Sequence, residues 1–190
     1  MTVHQDLVEI VQKGYALRLD GIHGIAHWER VRTNGLRLAE QTGADPEVVE
    51  LFALLHDSKR LNDGRDPKHG ARAAEFAASL RDSLLTLPQE EFELLQFACE
   101  YHTDGLTEAD ITVQTCWDAD RLDLGRVGIR PDPRYLCTPA ARESTMIEWA
   151  IIQSRVQERS MLHELEKSEF RRVLPLFQGY LQDPMMHAVI

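Results

Sequence analysis

DPEVVELFALLHD, residues 45–57, opens on an Asp-Pro pair that caps and starts a helix, then runs apolar on nearly every side from Val48 to Leu55. A helix apolar all round belongs inside a bundle and not on its surface, so His56 and Asp57 end a core helix. An aspartate there is costly to bury unless it is ionised against a cation or hydrogen-bonded. Upstream, Trp28, Val31, Leu38 and Ala39 mark one face of a helix ending near Gly43, and Thr2 with Gln5 resembles a capping box ahead of Leu7, Ile10 and Val11. Downstream, Asp66-Pro67 opens a helix through Leu80, Pro88 opens one through Tyr101, and another runs from Thr107 to about Leu124. GRVGIRPDPRYLCTP, residues 125–139, holds glycines and prolines that cannot continue a helix and reads as an irregular loop. Beyond it, Ala140 to about His163 is amphipathic through Met146, Ile147, Trp149, Ala150 and Ile151, and a last helix carries Phe170, Leu174, Phe177 and Leu181. No sustained two-residue alternation and no hairpin turn between apolar runs suggests a strand. The fold class is therefore all-α, read as a helical core over 1–139 and a C-terminal helical extension over 140–190.

Composition bounds the function. With 43% hydrophobic and 27% charged residues, burial offsets chain entropy without staples. Cys99, Cys116 and Cys137 form no CxxC and leave an odd count, which argues against a disulfide framework or thiolate zinc cage and fits a reducing cytoplasm. The start of the chain lacks a basic-then-apolar leader, and no run approaches the ~20 apolar residues that span a bilayer, so neither secretion nor a membrane is expected. A net charge of −10 supplies no basic face for duplex nucleic acid. A small phosphorylated partner stays open, because bound metal and local cations outweigh global charge at short range. The composition is also compatible with a homo-oligomer.

The chemistry lies in histidines and aspartates at or near helix ends, in the order His27, His56-Asp57, His69, His102, Asp120. Imidazole nitrogen and carboxylate oxygen share one divalent cation, and ligands drawn from separate helices let packing fix the geometry. Any one histidine alone is more commonly a hydrogen-bonded or surface residue.

AHWERV (26–31), LLHDSK (54–59) and WDADRLD (117–123) together resemble the H…HD…D signature of the HD-domain superfamily over roughly residues 22–128. The resemblance implies a compact helical bundle, hydrolysis of phosphoesters or phosphoanhydrides, and one metal on His27, His56, Asp57 and Asp120. KHGARAAEF (68–76) and EYHTDG (100–105) further resemble the HD enzymes that hydrolyse symmetrical dinucleoside polyphosphates. There the Asp of the HD pair bridges two metals, which implies a second ion on Asp57, His69 and His102; alternatively, these histidines contact substrate phosphate over a single metal. Asp57, His69, His102 and Lys59 are thus the expected catalytic residues. The mixed nitrogen and oxygen shell suits Fe, Mn, Co, Ni or Zn better than Mg.

Such a cation makes water acidic enough to attack phosphorus near neutral pH, so no serine nucleophile is needed. Lys59, Arg60, Lys68 and Arg72 cluster around the HD end as candidates for phosphate contact, and Arg126, Arg130 and Arg134 join them if the 125–139 loop forms a pocket wall; solvated cations are the ordinary alternative for each. Asp118 competes with Asp120 as the distal ligand, and Asp120 matches the family aspartate. His23 reads as a helix-start or pocket residue, Arg30 as a ligand-orienting or ion-pairing one, and Arg121 and Asp123 as pairing with neighbours. His4, His163 and His187 read as surface residues. HDSKRLND (56–63) lacks the acidic pattern of guanosine-tetraphosphate hydrolases and no GYP motif points to cyclic di-GMP; HGIAHWERV (23–31) followed by DADRLD (118–123) resembles small bacterial HD proteins that act on nucleotides, which implies a nucleotide or dinucleoside polyphosphate as the leading substrate class. Two other classes stay open: a di-iron oxygenase on the same ligand set, and a non-catalytic, metal-stabilised nucleotide-binding module.

Overall fold

A computed structural model describes residues 5–167, with side chains over 5–155. Among these are eight α-helices: α1 (Gln5–Lys13), α2 (Ile25–Thr42), α3 (Pro46–Leu55), α4 (His69–Leu80), α5 (Gln89–Tyr101), α6 (Ile111–Leu122), α7 (Pro139–Arg142) and α8 (Ser144–Lys167). The described residues hold no strand, only an isolated bridge between Arg81 and Leu85. No helix among them is long and apolar enough to cross a membrane. The fold is all-helical. Its contacts divide the chain into units 1–154 and 155–190, and His27, His56, Asp57, His69, His102 and Asp120 all lie in the first. The Thr2 cap and the helix expected around Phe170, Leu174, Phe177 and Leu181 lie outside the described residues.

The central helix starts as its sequence dictates: the Asp45 carboxylate accepts the amides of Glu47 and Val48 at 2.8 and 3.3 Å, with Pro46 in the first turn. Every residue of α3 from Val48 to Leu55 is buried, and the helix touches α1, α2, α4, α5 and α6. Phe52 at its centre and Trp117 on α6 are fully buried in the main apolar cluster. A second cluster joins Leu38, Leu122 and Leu136 to Met146, Ile147, Ala150 and Ile151 in the first turns of α8. α2 ends where Gly43 takes the left-handed conformation at φ 77° and returns its amide to Ala39.

Three boundaries differ from those read in the sequence, each for a local reason. α6 begins at Ile111 and not near Thr107, because Asp110 caps it by accepting the Thr112 amide at 2.8 Å. Asp66 does not cap α4: its carboxylate takes the Leu61 amide and the Arg72 guanidinium, while its carbonyl accepts from the His69 ring. The 125–139 stretch contains 3₁₀ turns over Asp123–Val127 and Pro133–Tyr135, and the helical run beyond it breaks at Glu143.

Gly70 sets how closely α4 and α5 approach. A Cβ there would stand 2.6 Å from the carbonyl oxygens of both Cys99 and Glu100, backbone that cannot rotate away. Gly70→Ala should therefore force the helices apart and cost about 1–3 kcal/mol, the scale of overpacking. A thermal melt should show the loss, and an unchanged midpoint would mean that the backbone there gives more freely than its packing indicates.

Candidate metal centre

The ends of five helices converge around Asp57. His27 comes from the first turn of α2, His56 and Asp57 from the end of α3, and His69 from the start of α4. His102 follows α5, and Asp120 lies in the last turn of α6. His27, His56, Asp57, His69 and His102 are all buried, whereas the Asp120 side chain keeps 19% exposure and marks the open edge.

The ring contacts determine what this cluster is built for. His56 Nδ1 lies 3.1 and 3.2 Å from the carbonyls of Phe52 and Ala53, His69 Nδ1 lies 2.5 Å from that of Asp66, and His102 Nδ1 lies 2.7 Å from that of Cys99. A carbonyl only accepts, so each Nδ1 carries the hydrogen and each Nε2 of the neutral ring is left with a bare lone pair. His27 is held the same way by a carboxylate, its Nδ1 donating to Asp123 Oδ2 at 2.7 Å while Asp123 Oδ1 accepts from Arg30 Nε at 2.6 Å. Yet His27 Nε2 faces His56 Nε2 at 3.1 Å, and His69 Nε2 faces His102 Nε2 at 2.9 Å. Two lone pairs pointed at one another repel unless a cation sits between them, so the residues fit metal.

Asp57 joins the two pairs. Its Oδ2 stands 3.6 Å from His27 Nε2 and 3.8 Å from His56 Nε2, and Asp120 Oδ1 completes that group at 3.5 and 3.9 Å from the same nitrogens. Its Oδ1 stands 3.1 Å from His69 Nε2 and 3.7 Å from His102 Nε2. Both groups, together with His23, His27 and Asp57, meet the spacing of a metal site.

Electrostatics agree. Burial lowers His56 and, aided by the Arg126 charge, holds His27 well below the usual imidazole range, which keeps both neutral and available as ligands. Burial pushes against ionisation of Asp57, but the nearby His56, His102, His23 and His69 rings prevail and hold its carboxyl well below the usual range. Asp120 is lowered against its burial by His56, His27 and Arg126. Asp123 goes up with burial, Arg30 opposing.

Asp118 and Asp120 separate cleanly. Asp118 accepts the backbone amides of Cys137 and Thr138 at 2.6 and 2.8 Å and the Thr138 hydroxyl at 2.8 Å, so it anchors the loop. Only Asp120 faces the histidines. The cations divide as well. Lys59, expected in catalysis, turns its ammonium onto the Phe76 ring, 3.5 Å from the centroid. Arg72 is committed to the Lys59 carbonyl and Asp66, and Lys68 is exposed. Arg130 pairs with Glu148 and Arg134 with Asp132 on the exposed surface. Of the three loop arginines, Arg126 alone is set by the cluster, bonded to the carbonyls of Ile22 and Asp123.

Three contacts were not legible from the sequence. Asp123 orients His27; only its place three residues after Asp120 hinted at a role. His23 donates from Nδ1 to Asp57 Oδ2 at 2.8 Å, its own carbonyl taking the Tyr15 hydroxyl at 2.8 Å. Arg60 is buried against Asp57 and His69 instead of reaching into solvent.

The fold is similar to that of a solved structure described as a predicted HD superfamily hydrolase, from an uncultured Thermotogales bacterium. The two chains are 26% identical, the match covers 86% of this chain and 92% of that one, and the TM-score is 0.61. No family model and no curated protein matches the chain. The HD resemblance read from the sequence thus has a counterpart in a solved fold and in a His/Asp cluster compatible with an HD-type metal site.

Proposed function

We propose, from an HD-type fold with a bridged His/Asp cluster, that this chain is a metal-dependent phosphohydrolase acting on a small phosphorylated substrate, a nucleotide or dinucleoside polyphosphate. The observation that carries the reading is the pair of facing imidazole lone pairs on opposite oxygens of one buried carboxylate. The likeness to a predicted HD hydrolase supports a hydrolase at the level of the superfamily. Divalent cations held there would acidify water and offset charge on phosphoryl oxygens.

The chain's own residues do the rest. His27, His56, Asp57 and Asp120 would hold one ion, and Asp57, His69 and His102 a second. Asp123 and the four backbone carbonyls keep every ring in its ligating tautomer. Beside the cluster and sharing Arg60 with it, a cleft of about 350 Å³ is lined by Gly14, Ala16, Lys59, Arg72 and Phe76 among others. Burial lowers the Lys59 ammonium, and an anion entering the cleft would restore its lost solvation. That makes Lys59 a substrate-binding residue more readily than a catalytic one.

Arg126→Gln should lower kcat/KM on a phosphorylated substrate by about tenfold, the scale of one charge-assisted bond, while Arg130→Gln and Arg134→Gln leave it at the parent value. Equal losses in all three would mean that the loop acts through its overall charge.

The deciding experiment is anaerobic purification with metal analysis, followed by a panel of nucleoside phosphates and dinucleoside polyphosphates with Mn, Fe, Co, Ni, Zn and Mg. Release of phosphate or nucleotide supports hydrolysis. Oxygen uptake by an iron-loaded protein would replace it with oxygenation, and ligand-raised thermal stability without turnover would leave a binding module.

A further inference from the structure

Arg60 stands at the second group of ligands. Its side chain is only 9% exposed, and Nη1 lies 3.2 Å from His69 Nε2 and 3.4 Å from Asp57 Oδ1, the two atoms offered to an ion on that side. The rest of the guanidinium is pinned to the loop that follows, Nε donating to the Asn62 carbonyl at 3.3 Å and Nη2 to that of Gly64 at 2.8 Å. In the first group the described contacts of His27 Nε2 and His56 Nε2 are with one another and with Asp57 and Asp120, and the Arg126 charge acts on His27 without bonding to that nitrogen.

The His69 Nε2 lone pair can accept the Arg60 N–H or ligate an ion, not both. A guanidinium is always protonated, so the competition is with a fixed positive charge that also repels the incoming cation. We infer that Arg60 is a built-in competitor for the second ion, which binds only when the guanidinium leaves Asp57 and His69. The two groups of ligands are then unequal by construction. The first fills readily, and the second is weakened by the fraction of molecules in which Arg60 is seated. Because Arg60 also holds Asn62 and Gly64, its departure loosens residues 61–65, so loop order and second-ion occupancy move in opposite directions.

This inference rests on the reading of Asp57, His69 and His102 as an ion site. The test is anaerobic Co(II) titration of the full chain, followed by visible absorption and calorimetry without substrate, on the parent, Arg60→Gln and Arg60→Met. Circular dichroism checks that each variant folds. The parent should take a first ion and then a second at least about tenfold more weakly, whereas both variants should tighten the second step by about tenfold and leave the first unchanged. Adding His69→Ala and His102→Ala to Arg60→Gln should abolish the tightened step. Hydrogen exchange over 61–65 should quicken as the parent takes its second ion. A second-step Kd equal in the parent and both variants, or two equal steps in the parent, would overturn the competitor role while leaving the phosphohydrolase reading intact. A chain that bound no ion would overturn both.

Discussion

Asp57→Ala should purify with essentially no transition metal and turn over the best phosphorylated substrate on the order of 10³-fold or more slowly than the parent, as expected when one member of a unit that acts together is lost. Asp57 is the one residue whose two oxygens face both imidazole pairs, so its removal takes a ligand from each group. It also strips His23 and Arg60 of an anionic partner. Asp57→Asn, close to isosteric, separates charge from shape: it should retain the fold and still lose metal. His56→Ala should empty the first group alone, with a smaller effect on His69 and His102. Full metal occupancy in Asp57→Ala would mean that the ion sits elsewhere and that the cluster is a hydrogen-bonded core.

Chelation should have the next largest effect. A ligand that binds only the folded chain at 1,000 times its Kd adds ~4 kcal/mol, which for a domain of this size corresponds to roughly 8–16 °C of melting temperature. The metal-free protein should therefore melt lower by that order and recover on reloading. Its pH dependence follows from the same rings. His27 and His56 are held below the ordinary imidazole value near 6.5, so the unfolded chain binds protons there that the fold refuses. Their stability is complete above about pH 6.5 and is lost as the pH falls below it. His102 works the other way: burial would lower it, but the nearby Asp57 and Asp120 carboxylates raise it, so its share is present at low pH and lost on going up. With two rings against one, melts of the chelated protein at pH 7.5, 6.5 and 5.5 should step downward with acidification. A midpoint that rose toward pH 5.5 would mean that the rings are protonated in the fold and not held neutral for metal.

How far this site could be read from the sequence depended on distance along the chain. The central helix was plain because cap, proline and apolar run are consecutive from Asp45 to Leu55, and the order of histidines and aspartates picked out the residues that the fold brings together. Nothing local distinguishes Asp123 from Asp118, since the partner that gives Asp123 its role, His27, lies 96 residues away. Arg60 reads in the sequence as a candidate phosphate contact or a solvated cation, because its burial depends on α4 returning His69 to within 3.2 Å of it. The cap at Asp110 was missed for a different reason: Thr107 offers an equally plausible start, and only the observed Thr112 bond separates them.

Asp118 leaves a reporter in the molecule. The amides of Cys137 and Thr138 that it holds are short, charge-assisted bonds, which place their proton resonances downfield and slow their exchange. Their acceptor sits on the same helix as Asp120, while the two amides themselves bond to none of the six candidate ligands. Spectra of these two amides recorded during metal loading would follow the register of α6 without perturbing the centre. Static resonances would describe α6 as a fixed post, and coordinated shifts would describe it as the lever by which the centre is felt at the loop.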